Sequence, residues 1–310
     1  MDAPLSMSWS PELIAGLADV GRSMRPIREI LGEGGPIFGF SDYRESGSYA
    51  TSTLYLTVQP HLNNLVRRLE EVRASGSVQS HALEYKSRKS WARLWPSSLD
   101  QWLTAFRESP GLAVCVAYSR RLYDTEEYRA LKRAATREFQ RVGRRVTARG
   151  TAAALQKLLP FMIVAPLLQG GALGWASDRD SMLQGGIGEE LLPMLLSHLD
   201  RAGANVSIVQ PLYDGELPSE QEVALSLPDL VSGVIADLVP SPFVSTSIDV
   251  STLDAEAFRL LAGLSLMGDP FQSAGPAGKL HVCVLDRSPE GCVQLPIALR
   301  AHGAPQIAPP

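Results

Sequence analysis

Five acidic residues stand where secondary-structure elements begin or end. Asp42 closes the apolar run IFGFSDY, and Glu84 lies in the tripeptide EYK, two residues before Lys86. Asp178 and Asp180 follow the run GALGWAS, and Asp229 opens an amphipathic stretch with Gly233 one turn later. Carboxylates delivered by separate strand ends and a helix start can converge on one Mg²⁺ or Mn²⁺, which take hard oxygen ligands. Two such ions about 4 Å apart stabilise the attacking and leaving oxygens of a phosphodiester displacement. The chemistry expected is therefore metal-dependent hydrolysis of nucleic acid, with metal ligands Asp42, Glu84, Asp178 and Asp229. Asp180 is a substitute or fifth acid, and Lys86 is placed to contact the scissile phosphate. Taken singly, each aspartate has an ordinary role in a turn or at a helix N-terminus. The expectation rests on their joint arrangement.

Other chemistries find little support. The chain has no Gly-x-Ser-x-Gly elbow, no Gly-x-x-x-x-Gly-Lys phosphate loop and no His-Glu-x-x-His pair. The glycines of GEGGP at 32–36 precede a strand, whereas a dinucleotide-binding loop follows one. Five histidines (61, 81, 198, 281, 302) are scattered without ligand spacing. Three cysteines (115, 283, 292) are too few for a disulfide framework and lack zinc-site spacing, so a reducing compartment is the simplest reading.

Charge is segregated within a chain of 310 residues whose net charge is only −4. From Arg120 to Arg149 there are ten Lys/Arg against four acids, and SRKSWAR at 87–93 adds three cations. Between Pro211 and Pro270 ten acids face Arg259 alone. Only five of the 29 basic residues are lysine. Arginine favours bidentate phosphate contact, and a basic stripe is the expected footprint of nucleic-acid binding. Arg129, Arg133, Arg137, Arg141 and Arg144 are the candidates to track a DNA or RNA backbone. The competing reading is a solvated helix face, or a basic region that pairs with the acidic one to build a homo-oligomer.

The elements that must position these groups follow from periodicity. Ser10-Pro11-Glu12 is a capped helix start, with the helix running to about Met24. IFGFSDY and YATSTLYLTV (49–58) are strands paired as a hairpin across ESGS. A helix is predicted over 62–72, a strand at HALEYK (81–86) and a strong strand at GLAVCVAY (111–118). A long basic helical region spans about 125–168, with breaks expected near Gly150 and Pro160. GALGWAS (171–177) and ANVSIVQPL (204–212) read as strands, and 188–199 and 227–239 as helices. Beyond them come a helix over 254–267, the strand-like LHVCVL (280–285) and a Pro/Ala-rich tail expected to be disordered. The apolar stretch 158–175 is interrupted by Pro160, Pro166 and glycines, so it reads as buried core rather than a membrane span. The N-terminus lacks the basic and apolar regions of a signal peptide, so a cytoplasmic protein is expected.

FGFSDYRESG followed by a second strand resembles the opening of a domain-of-unknown-function family whose first strand ends Asp-Glu-Ser-Gly. That family is ribonuclease H-like and similar to metal-dependent nucleases, with bacterial members near mobile elements or phage-defence genes. Glu84-Tyr85-Lys86, Asp178-Arg179 and the helix LSLPDLVSG resemble its later marks. Here Tyr43-Arg44 separate the Asp from the Glu-Ser-Gly, so either Asp42 or Glu45 takes the motif's metal-binding role, and Pro228 stands where alanine is usual. The resemblance implies an α/β fold: a ribonuclease H-like mixed sheet over 37–239, flanked by helices, with a long basic helical insertion. Residues 1–36 are then an N-terminal helix and linker, and 240–310 a C-terminal extension. It implies a two-metal nuclease; the alternatives are a restriction-type site built on Glu84 and Lys86, or a silent module that binds nucleic acid or a protein partner.

Overall fold

The computed structural model describes residues 9–32, 35–75, 96–168, 172–177, 200, 207–213, 223–238, 247–249, 280–286, 293–295 and 298–300. Helix α1 (Pro11–Ser23) starts as its sequence dictates: Ser10 Oγ accepts the Leu13 N–H at 3.1 Å, with proline in the first turn. A short helix α2 (Ile27–Leu31) follows, which periodicity alone did not suggest.

Strands β1 (Ile37–Ser46) and β2 (Tyr49–Val58) form the expected hairpin, in register from Ile37↔Val58 to Ser46↔Tyr49. Its loop is Gly47-Ser48, and Gly47 has φ +53°. A Cβ there would also lie 2.6 Å from the Ala236 carbonyl oxygen, so conformation and packing both call for glycine.

Helix α3 (Gln59–Ser75) leads on, and helix α4 (Pro96–Glu108), not set out from the sequence, carries the buried Trp102, Leu103 and Phe106. β3 (Leu112–Ser119) pairs antiparallel with β2. On the other side of β1, β4 (Ala172–Ser177) and β5 (Ser207–Tyr213) add in parallel. Three antiparallel strands continued by two parallel ones beside the first is the ribonuclease H-like topology.

β7 (Leu280–Leu285) joins β3 in parallel and β8 (Val293–Leu295) pairs antiparallel with β7, giving the order β5-β4-β1-β2-β3-β7-β8. The C-terminal extension thus contributes strands to the central sheet. β6 (Ser247–Asp249) and β9 (Ala298–Arg300) pair with each other in a separate parallel ladder. Cys115 on β3 is a buried free thiol, and Cys283 on β7 is disulfide-bonded, one bridge where a framework was excluded.

The basic helical region is three helices, and its first break differs from expectation. α5 (Glu126–Arg141) ends before Gly143, whose φ is +78°. Thr147 then caps α6 (Ala148–Lys157), its Oγ1 accepting the Gly150 N–H at 2.9 Å, so Gly150 lies inside a first turn rather than at a break. The chain does step at Leu158, one residue before α7 (Leu159–Val164), where Pro160 has no N–H to give. The run 148–168 is long and apolar enough to cross a membrane, but 89% of its most apolar window is buried inside the protein, as expected of a core helix.

Side chains alternate across the sheet. Ile37, Leu54, Leu56, Val114, Val116 and Trp175 meet α1, α6 and α7 on one face. Phe40, Tyr55, Ala113, Cys115, Ala117 and Val282 meet α3, α4 and the late helix α8 (Ser226–Leu238) on the other. The expected strand at 81–86, the helices at 188–199 and 254–267, and the C-terminal tail lie outside the described residues.

Candidate metal and nucleic-acid sites

Asp42 sits within the long central strand β1 and is only 4% exposed. Its partner across the ladder is Thr53 on β2, whose own partner is Cys115 on β3. This row belongs to the α8 face of the sheet. Burial pushes the Cys115 thiol up to about 12; the Asp42 carboxylate adds to that rise, while a Thr53 hydrogen bond opposes it.

Two hydrogen bonds seat α8 over β2, one in this row and one two residues along the strand. Ser232 Oγ donates to Thr53 Oγ1 at 2.8 Å, and Thr51 Oγ1 donates to the Ser232 carbonyl at 2.9 Å. Asp229 lies one turn before Ser232, in the first turn of α8, and is half-buried. Further along β1, Arg44 reaches Asp237 near the end of α8 at 3.5 Å. The helix therefore runs along β1 with its acidic start toward Asp42.

The alternation of β1 decides between the two acids of its motif. Glu45 points to the opposite face, where it pairs with Arg149 at 3.2 Å and lies 3.9 Å from Arg120. Tyr43 shares that side, packed against Ala50 and Ala153; burial, reinforced by Tyr123 and Glu45, holds its phenol well above the ordinary range. Asp42, not Glu45, lies on the face that α8 covers.

β4 pairs with β1 up to Ser41↔Ser177, and Asp178 is the next residue in the chain after Ser177. Asp178, Asp180, Glu84 and Lys86 lie outside the described residues. Among the described residues no group of three His, Cys, Asp or Glu side chains is gathered closely enough to hold a metal.

Two further polar residues escaped the sequence reading. Asp286, 7% exposed at the end of β7, accepts a hydrogen bond from Tyr49 Oη at 3.0 Å. The signal was in the sequence: LHVCVLDR repeats the strand-then-Asp-Arg pattern of GALGWASDR. Lys157 on α6 is fully buried and its Nζ donates to Ser177 Oγ at 3.1 Å, next to the start of the Asp178 segment. A lysine inside LQKLLPFMIV was the available sign.

The basic stripe lies elsewhere. Arg129, Arg133 and Arg137 recur every fourth residue on α5 and, with Lys132, Thr136 and Ala148, line a concavity of about 510 Å³. Arg129 pairs with Asp124 at 2.8 Å, Arg133 with Glu126, and Arg141 with Glu138 at 2.8 Å, all on the surface. The Arg133 guanidinium holds the Glu126 carboxyl below its ordinary value. Arg141 and Arg144 do not line the concavity. The other side of α5 packs Tyr128, Ala135 and Phe139 into the core shared with α1, α6 and α7. The arginines thus sit over the sheet face opposite Asp42.

By its strand order and mixed pairing the chain is an α/β protein of ribonuclease H-like topology. Compared with known protein families, curated proteins and solved structures, the chain gives no significant match.

Proposed function

We propose that this protein is a Mg²⁺- or Mn²⁺-dependent nuclease related to the ribonuclease H-like family that its first-strand motif resembles, acting in bacterial phage defence or on a mobile element. The observation that carries the reading is Asp42: a buried carboxylate on a central strand, facing the acidic start of α8 and next to the end of β4. A buried carboxylate is tolerated where hydrogen bonds, a cation or a metal compensate its lost hydration.

The donor set fits a hard dication. Asp42 and Asp229 would hold it from the described residues, joined by Asp178 and Glu84 from outside them, with Asp180 in reserve. The bound metals would supply stabilisation of charge on the attacking and leaving oxygens. The chain's own part is positioning. Strand β1 fixes Asp42, and the Ser232–Thr53 hydrogen bond fixes the helix that carries Asp229. Lys86 would neutralise a phosphate oxygen.

The test combines Mn²⁺ titration calorimetry with cleavage of labelled single- and double-stranded DNA and RNA. Asp42→Asn and Asp229→Asn are expected to weaken Mn²⁺ binding at least tenfold and to abolish cleavage. Cleavage that persists in excess EDTA, or Mn²⁺ binding indifferent to both changes, would sink the proposal. Nucleic-acid binding without either metal binding or cleavage would instead identify a silent ribonuclease H-like module.

A further inference from the structure

We infer that the concavity on α5 is a separate site for the phosphate backbone of a nucleic-acid strand, an anchoring surface on the sheet face opposite the carboxylates. The inference takes the identity of the polymer from the nuclease reading but not the chemistry.

Four cations, Arg129, Lys132, Arg133 and Arg137, surround one open hollow with the Thr136 hydroxyl among them. The three arginines are exposed and spaced four residues apart, about 6 Å per step along the helix axis. From Arg129 to Arg137 the stripe covers about 12 Å, too long for one small anion and suited to successive phosphates. Arginine also suits this ligand, because its planar fork binds phosphate in two places at once.

The rim acids are compatible with this role. Asp124 and Glu126 each hold one arginine, and a guanidinium with five donors can keep a carboxylate and still offer N–H groups to phosphate. Packing makes the surface rigid: Tyr128 and Tyr123 stack with ring centroids 4.8 Å apart, and Tyr128 lies 5.3 Å from Tyr118 of β3.

The sheet separates this hollow from Asp42, since α5 joins the α1 side and α8 the other. Binding and the proposed chemistry are therefore separable by mutation.

The experiment is fluorescence anisotropy of a labelled single-stranded oligonucleotide with the full chain, over a range of salt concentrations. It compares wild type with the triple variant R129Q/R133Q/R137Q, each checked by circular dichroism. The triple variant is expected to bind about tenfold or more weakly, and its log–log salt slope to fall by about 2, at roughly 0.7 per lost single-strand phosphate contact. The triple variant is expected to keep the wild-type Mn²⁺ titration. Equal binding by wild type and a folded triple variant overturns the proposal, and so does complete competition by equimolar mononucleotide, which would mark a small-ligand pocket. A wild-type protein that neither binds Mn²⁺ nor cleaves nucleic acid strikes the nuclease reading and leaves this one standing.

Discussion

Asp42 and Glu45 are three residues apart on one strand, an odd number, so the period-2 geometry of a β-strand must send them to opposite faces. This is why a motif with two inserted residues still presents a single acid to α8. The same strand end shows how narrowly the hairpin is fitted. Gly47→Ala has to place a Cβ against the Ala236 carbonyl at positive φ, and a loss of about 1–3 kcal/mol is expected in urea unfolding. Ser232→Ala leaves Thr53 without its donor and is expected to cost about 1 kcal/mol in the same measurement. Cys115, with its thiol pushed up to about 12, is expected to resist iodoacetamide near neutral pH in the folded protein and to react once guanidinium unfolds it, read by mass spectrometry.

At the level of elements, the strands and the capped helices were legible because their signals are local. Ser10-Pro11-Glu12, the β-branched run of β2 and the apolar face of α8 each state their conformation within a few residues. The break in the basic region was misjudged at Gly150, because a glycine tolerated in the first turn of α6 looks like a breaker. The true break uses Gly143 and the Thr147 cap. The addition of β7 to the sheet was not legible, since parallel pairing with β3 joins residues about 170 positions apart in sequence and leaves no local mark.

β7 also carries a testable pH dependence. Burial lowers the His281 pKa from 6.5 to about 4, so between those values the unfolded chain binds more protons than the folded one. Stability is therefore full above about pH 6.5 and lost as pH falls toward 4. At 1.36 kcal/mol per pKa unit, this amounts to a contribution on the order of 3 kcal/mol. His281→Leu is expected to flatten that part of the stability–pH curve measured by thermal unfolding. Removing the anchor of α5 tests another element: Phe139→Ala is expected to cost about 3–5 kcal/mol, as for a large buried aromatic.

Across the whole molecule, the sheet lies between Asp42 and the α5 arginines Arg129, Arg133 and Arg137. Of the candidate site, the alternation of β1 and the start of α8 were legible from residues, while the packing of α8 on the β1–β2 face required the fold. That the arginine stripe lies behind the sheet was not legible, because helix periodicity tells which residues share a face but not which layer that face overlies. If Asp42 and Asp229 hold a dication, Mn²⁺ at one hundred times its dissociation constant adds about 2.7 kcal/mol. The wild-type melting temperature should then rise by several degrees while that of Asp42→Asn stays fixed. The same division governs sulfur. Cys115 and Cys283 lie one row apart on neighbouring strands, yet one belongs to each core layer. A hydrogen-bonded wall of backbone stands between the free Cys115 thiol and the bridged sulfur, so the native chain is guarded against shuffling its own cross-link until β3 and β7 come apart.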